Sequence, residues 1–170
     1  MLSGLEIKKR IGKDIVIAPF NEDQVNPNSY NLRLDDTLKV YTGDYLDPKK
    51  ENEFKTIKIP KEGLLLQPGE LYIGSTIEYT ESHGLVPCLS GRSSIGRLGI
   101  NVHATAGFGD IGFCGTWTLE IFVVKPVMVY PKMKICQIYF EEVQGEYENY
   151  KGKYFKQNGP ITSKLNTENI

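Results

Sequence analysis

The chain has 170 residues, enough for one domain with a sizeable core. Lys and Arg number 20 against 21 Asp and Glu, a formal charge of −1 with the signs interspersed. That balance argues against polymeric nucleic acid as a partner and leaves any bound anion to a local cluster.

Ser3 and Glu6 have the S-x-x-E spacing of a capping box, and Leu5, Ile7 and Ile11 predict a short amphipathic helix that Gly12 stops. Asp14–Phe20 predicts a brief strand halted near Pro19, followed by a loop of turn residues through Ser29. A strand begins at Asn31–Leu34, and Leu38–Tyr41 extends or repeats it. Residues 44–52 are polar and Lys-rich, an exposed excursion. Lys55–Ile59 alternates polar and apolar, Pro60–Gly63 turns, and Leu64–Leu66 is a strand. Pro68-Gly69 turns again before Leu71–Tyr79, a loop at Thr80–His83, and a strand at Leu85–Leu89. Beyond Glu120 come Ile121–Val124, Val127–Tyr130 and Lys134–Val143. Many short strands parted by Gly and Pro turns predict an all-β barrel or sandwich.

Cys88, Cys114 and Cys136 are odd in number and form no C-x-x-C, so they read as reduced, mostly buried thiols of a cytoplasmic protein. No charged-then-apolar leader opens the chain, and no run approaches the ~20 apolar residues of a membrane helix, so no membrane association is expected. From Gln144 onward the composition is polar and predicts a flexible terminus.

The stretch GRSSIGRLGINVHATAGFGDIGFCGTWTLE, Gly91–Glu120, stands apart. Arg92, Ser93 and Ser94 offer a guanidinium, two hydroxyls and the N–H groups of a helix start, a donor set suited to phosphate. Ser93 is placed to cap a short helix ending at Gly99, with Arg97 four residues on and on the same face. ATAGFGD is a turn-rich loop ending in Asp110, where Asp is also common simply because it tolerates turns. TWTLEIFVV alternates as a strand, with Thr118, Glu120 and Phe122 on one face and Leu119, Ile121 and Val123 on the other. A carboxylate enclosed among such groups would have a raised pKa and suit a proton shuttle. His103 and His83 lack the H-x-E and P-C-x-x-C partners of a zinc deaminase, so both read as ordinary histidines and no zinc is expected.

The patterns GRSSxxRLG and HxTAGFxDxGFxGxxTLE resemble the dCTP deaminase branch of the dCTP deaminase/trimeric dUTPase family. NPNSYNLRL at Asn26–Leu34, ICQIYF at Ile135–Phe140 and YKGKYFKQNG at Tyr150–Gly159 extend the resemblance in order along nearly the whole chain. It implies a distorted β-barrel or jelly-roll of the dUTPase-like type with a few short helices. It also implies a homotrimer with sites between subunits, a dCTP or dUTP substrate, and Mg²⁺ carried on the triphosphate.

By the same resemblance Glu120 takes a proton from water and returns one to the cytosine ring, while Ser93 and Arg97 position that water and stabilise charge near the base. Arg92 and Ser94 face phosphates, Asp110 sits under the deoxyribose 3′-hydroxyl, and Thr118 and Leu119 complete the nucleotide contacts beside Glu120. Gln137 matches a glutamine that helps hold the water attacking a phosphate. In the tail, 144–170, Lys153 matches a phosphate contact, Gln157 a base contact, and Tyr150 a position near sugar and phosphates. The tail itself becomes a lid over bound nucleotide. Ser90 departs from an acidic residue of many relatives. Gly109 replaces Ile or Val, which would loosen the Asp110 loop, and Gly107 is similar to members that go on to dUMP. The expected reaction is therefore deamination of dCTP followed by hydrolysis to dUMP, pyrophosphate and ammonia. A deaminase releasing dUTP, and a non-catalytic nucleotide sensor or protein-binding member, are the alternatives.

Overall fold

The computed structural model describes residues 1–103 and 106–169, so Ala104 and Thr105 of the expected ATAGFGD loop lie outside the described residues. The chain opens with helix α1 (Gly4–Arg10) and strands β1 (Ile15–Ala18), β2 (Val25–Asn26), β3 (Ser29–Arg33), β4 (Thr37–Tyr41), β5 (Phe54–Lys58) and β6 (Leu64–Leu66). Next come β7 (Tyr72–Ser82), β8 (Leu85–Gly91), helix α2 (Ser93–Gly96), β9 (Ile100–Asn101), β10 (Cys114–Val123), β11 (Val127–Val129) and β12 (Lys134–Glu142). One sheet runs β5-β4-β7-β10-β9 with β1 also on β7, a second runs β2-β3-β12-β8, and β11 pairs with β6. Among the described residues these sheets do not close into a barrel; they share one apolar core.

At α1, Ser3 Oγ accepts from Glu6 N (3.2 Å), but the Glu6 carboxylate turns to Arg10 Nε (3.0 Å) instead of completing the capping box. Ile7 is buried, whereas Leu5 is exposed, so the apolar face is narrower than expected. The core is filled by Leu32 and Leu34 from the β3 end, Leu38 from β4, Leu119 and Ile121 from β10, and Ile138 and Phe140 from β12.

The expected loop at Thr80–His83 is instead the continuation of β7 through Ser82. β1 pairs with it there (Ile17↔Thr80, Ile15↔Ser82), and β10 covers its other side (Gly115↔Thr80). The polar side chains that read as a turn are buried and bonded: Thr80 Oγ1 accepts from Trp117 Nε1 (2.8 Å), and Ser82 Oγ donates to Leu85 O (3.2 Å). β8 likewise runs on to Gly91 because β12 pairs with it as far as Cys136↔Gly91. Helix α2 begins with Ser93 already inside it. Arg92 occupies the N-cap without a side-chain bond, so Ser93 does not cap, and its hydroxyl is left exposed beside Ser94 and Arg97. Ile95 anchors this turn in the core.

Candidate active site

Alternation along β10 puts Leu119 and Ile121 wholly in the core and turns Thr118 and Glu120 the other way, onto the floor of a cavity of about 550 Å³. Ile73 of β7, the register partner of Glu120, adds to that floor. The wall is the segment from Ala106 to Phe113, which carries Asp110. Leu119, expected among the nucleotide contacts, is wholly buried in the core and is not among the lining residues.

The wall is tightly held. Gly109 N donates to Pro87 O (2.7 Å), and Phe108 bridges to Cys88. A Cβ on Gly109 would lie 2.5 Å from Trp117 Cη2 and 3.2 Å from Pro87 Cγ. Glycine here admits the indole edge and fixes the Asp110 loop instead of loosening it. The indole is itself fixed through Thr80, and its backbone N donates to Thr76 Oγ1 (2.9 Å) at a bulge between Thr116 and Thr118.

The tail forms the roof. Lys156 N donates to Cys114 O (2.9 Å), Thr116 N to Gln157 O (3.0 Å), and Gln157 Nε2 to Thr116 O (2.8 Å). Gly159 N and Ile161 N then reach the hydroxyls of Thr116 (2.9 Å) and Thr118 (3.3 Å). A Cβ on Gly115, whose φ is +146°, would stand 2.7 Å from Gln157 O, so this approach of two backbones requires glycine. Tyr150, Tyr154 and Gln157 line the cavity from above, and Tyr41 OH holds Ser163 N (3.1 Å) at the far rim.

Glu120 is less enclosed than its neighbours on β10 imply, with a side chain 40% exposed to the cavity. Its Oε2 accepts from His103 Nδ1, and the His103 side chain is only 8% exposed. His103 is therefore part of the site, contrary to its reading as an ordinary histidine. Nothing in the H-x-T spacing marks it, because its partner is 17 residues away and joined only by the fold. Burial favours the neutral ring, but the hydrogen bond and charge of Glu120, with the Ala106 backbone, outweigh it and raise the pKa above 6.5. A raised pKa places the stabilisation below the unfolded value and removes it as pH climbs through the folded one. The thermal midpoint of the unaltered protein should therefore exceed that of His103→Gln most clearly near pH 6. The gap should narrow above pH 8, and a gap constant from pH 6 to 9 would show that charge on His103 contributes nothing.

The cavity gathers Glu120, Asp110, Thr118, Tyr150 and Gln157. Arg92, Ser93, Ser94, Arg97 and Gln137 are not among its lining residues. They lie together at the other end of β8 and β12, where Arg92 Nη1 donates to Lys134 O (2.8 Å) and Gln137 Nε2 to Gly91 O (3.0 Å). Lys153 points away from the cavity, into the tail: it pairs with the Glu168 carboxylate and donates to Lys164 O (3.4 Å). That pairing with Glu168 raises its pKa. Among the described residues no three His, Cys, Asp or Glu side chains converge as a metal-holding cluster, and Cys88, Cys114 and Cys136 are buried free thiols.

Residues 1–143 match the family model described as dCTP deaminase-like. This chain belongs to the dCTP deaminase-like family. It is 61% identical to a protein of Cytophaga hutchinsonii named dCTP deaminase, dUMP-forming, over 97% of this chain and 95% of that one. A protein of the same name from Hathewaya histolytica is also 61% identical, covering 97% and 96%. Among solved structures, the 2'-deoxycytidine 5'-triphosphate deaminase of Agrobacterium tumefaciens superposes with a TM-score of 0.61 at 24% identity, over 82% of this chain and 47% of that one. This dCTP deaminase-like chain thus spans about half the length of that structure. The dUTPase of Staphylococcus bacteriophage 80alpha shares the fold at a TM-score of 0.50 and 10% identity, over 85% and 95%. No helix among the described residues is long and apolar enough to cross a membrane.

Proposed function

We propose that this member of the family deaminates dCTP and carries the product on to dUMP. The observation that bears most weight is full-length identity of 61% to proteins named dCTP deaminase, dUMP-forming, together with Glu120 presented on the floor of an open cavity beside Asp110.

In the first step the oxygen of a water bonds to C4 of cytosine. Glu120 takes the water proton and delivers it to the ring, so one carboxylate serves as base and then as acid. Glu120 then carries the C4 hydroxyl proton to the amino group, the C4–N bond breaks as C4=O forms, and ammonia leaves, giving the uracil base. His103, donating to Glu120 Oε2, keeps the other carboxylate oxygen free to face that water. Asp110 is the acceptor for the 3′-hydroxyl, and Tyr150 and Gln157 cover the nucleotide from the tail. In the second step a second water attacks the α-phosphorus, and the bond to the bridging oxygen breaks as pyrophosphate leaves.

Both steps call for positive donors to phosphate and for groups that hold the attacking water, and among the described residues the cavity lining carries no Arg or Lys. Ser93, Arg97, Arg92, Ser94 and Gln137 have the right chemistry but stand elsewhere on the same chain. We therefore place them in the site of a neighbouring copy, with three copies closing a ring. The exposed apolar side chains Leu98, Phe122 and Val124 beside α2 fit such a contact. Mg²⁺ is proposed to arrive on the triphosphate; among the described residues the cavity is lined by two carboxylates, Asp110 and Glu120. It would offset charge on the leaving pyrophosphate. Free buried thiols fit a cytoplasmic setting.

The deciding experiment is incubation with dCTP and Mg²⁺ and identification of every product. Ammonia, dUMP and pyrophosphate in equal amounts, with little free dUTP, are expected. Stoichiometric dUTP, with added dUTP left untouched, would reduce the activity to deamination alone, and no turnover at all would favour a nucleotide sensor.

A further inference from the structure

A chain of four hydrogen bonds leads from the interior to the start of the Gly91–Arg97 segment, and its direction is fixed by chemistry at one end. The Gly91 carbonyl can only accept, so the Gln137 amide must turn Nε2 towards it (3.0 Å). Gln137 Oε1 then faces Ser29, whose hydroxyl must donate to it (2.7 Å). Having spent its proton, Ser29 Oγ accepts from Asn26 Nδ2 (3.0 Å), and Asn26 Oδ1 in turn accepts from Asn31 Nδ2 (3.0 Å). Ser29 and Asn31 are each only 4% exposed, and Asn31 is the register partner of Gln137 across β3 and β12. Bonds aligned head to tail in this way reinforce one another in a low-dielectric setting.

We propose that Ser29 and Asn26 are positioning residues that lock Gln137 as a hydrogen-bond donor and, through Gly91, hold the entry to Arg92–Arg97. Ser29 holds Oε1 on the half-buried side, whereas the Nε2 end bonds Gly91 O at an exposed position, so the second Nε2–H is the group Gln137 turns outward. A donor suits a phosphate oxygen and would weaken a nucleophilic water by drawing on its lone pair. Gln137 therefore acts on the triphosphate, and the attacking water is oriented by other groups. This rests on the reading of Gln137 as a substrate contact in the dUMP-forming reaction.

Ser29→Ala is nearly isosteric and removes the proton that fixes the amide. It should raise KM for dCTP and slow dUMP formation roughly three- to tenfold, the range one lost side-chain hydrogen bond allows, with dUTP accumulating and the thermal midpoint little changed. Ser29→Thr keeps the hydroxyl and should restore the product ratio. Asn26→Asp keeps the shape but accepts the Ser29 proton, so it should reproduce the Ser29→Ala product ratio. Gln137→Ala is measured beside them. If Gln137→Ala impairs the phosphate step while Ser29→Ala leaves both KM and product ratio unchanged, the relay is overturned and the reading of Gln137 stands. If Gln137→Ala itself behaves as the unaltered protein, both fall. A loss of stability in Ser29→Ala with an unchanged product ratio would mark the relay as structural only and also overturn the proposal.

Discussion

Replacing Glu120 with Gln is expected to lower ammonia release from dCTP by about 10²–10⁴-fold, the usual range for a positioned general acid–base group, while nucleotide binding persists. The amide retains the size of the carboxylate and can still accept from His103 Nδ1, so the floor of the cavity should keep its shape. It cannot take up a proton from water at neutral pH. The loss should therefore appear in kcat with KM little altered, as for a group whose interaction matters in the transition state. Binding of dCTP measured by calorimetry serves as the control. Ammonia release within a few-fold of normal would remove Glu120 from the reaction.

The second large effect comes from mixing two inactive proteins. Glu120→Gln and Arg97→Ala chains should each be inert alone, yet regain activity when unfolded and refolded together. Each site in the proposed ring takes Glu120 from one copy and Arg97 from its neighbour, so every mixed trimer has one site free of both substitutions. Random threefold assembly from equal amounts gives about a quarter of the unaltered rate. A monomer by solution mass that nonetheless turns over dCTP, or a mixture as inert as its parts, would defeat the shared-site proposal. The separation of the two groups in this chain, with Glu120 lining the cavity and Arg97 outside it, makes this test sharper than single substitutions.

Alternation on β10 is legible in the sequence because each side chain there answers to the pleat alone, so Glu120 and Thr118 could be placed opposite Leu119 and Ile121 from the letters TWTLEIFVV. The end of β7 is not legible. Thr80, Glu81 and Ser82 are polar and run into His83-Gly84, which reads as a turn, and only their partners β1 and β10, distant along the chain, draw them into a strand. His103 is hidden for the same reason, its meaning residing in a contact the fold makes. Gly109 shows the opposite error: glycine suggests slackness until the indole of Trp117 is found against it. The tail is polar in composition, yet residues 156–161 find order by bonding to a strand edge, with Pro160 buried and Tyr150 and Tyr154 packed against the core.

That edge gives the tail a second significance. β10 from Cys114 to Thr118 has β7 along one side, and along the other the backbone and hydroxyls that Lys156, Gln157, Gly159 and Ile161 occupy. If the tail acts as the lid that the family resemblance implies, its lifting lays open a length of strand with unpaired amides and carbonyls, which is the surface on which other chains add themselves. Ligand traffic and self-association thus draw on the same backbone groups. Truncation before Tyr150 should cost solubility as well as turnover, and saturating nucleotide should protect the intact chain from aggregation by keeping that edge covered.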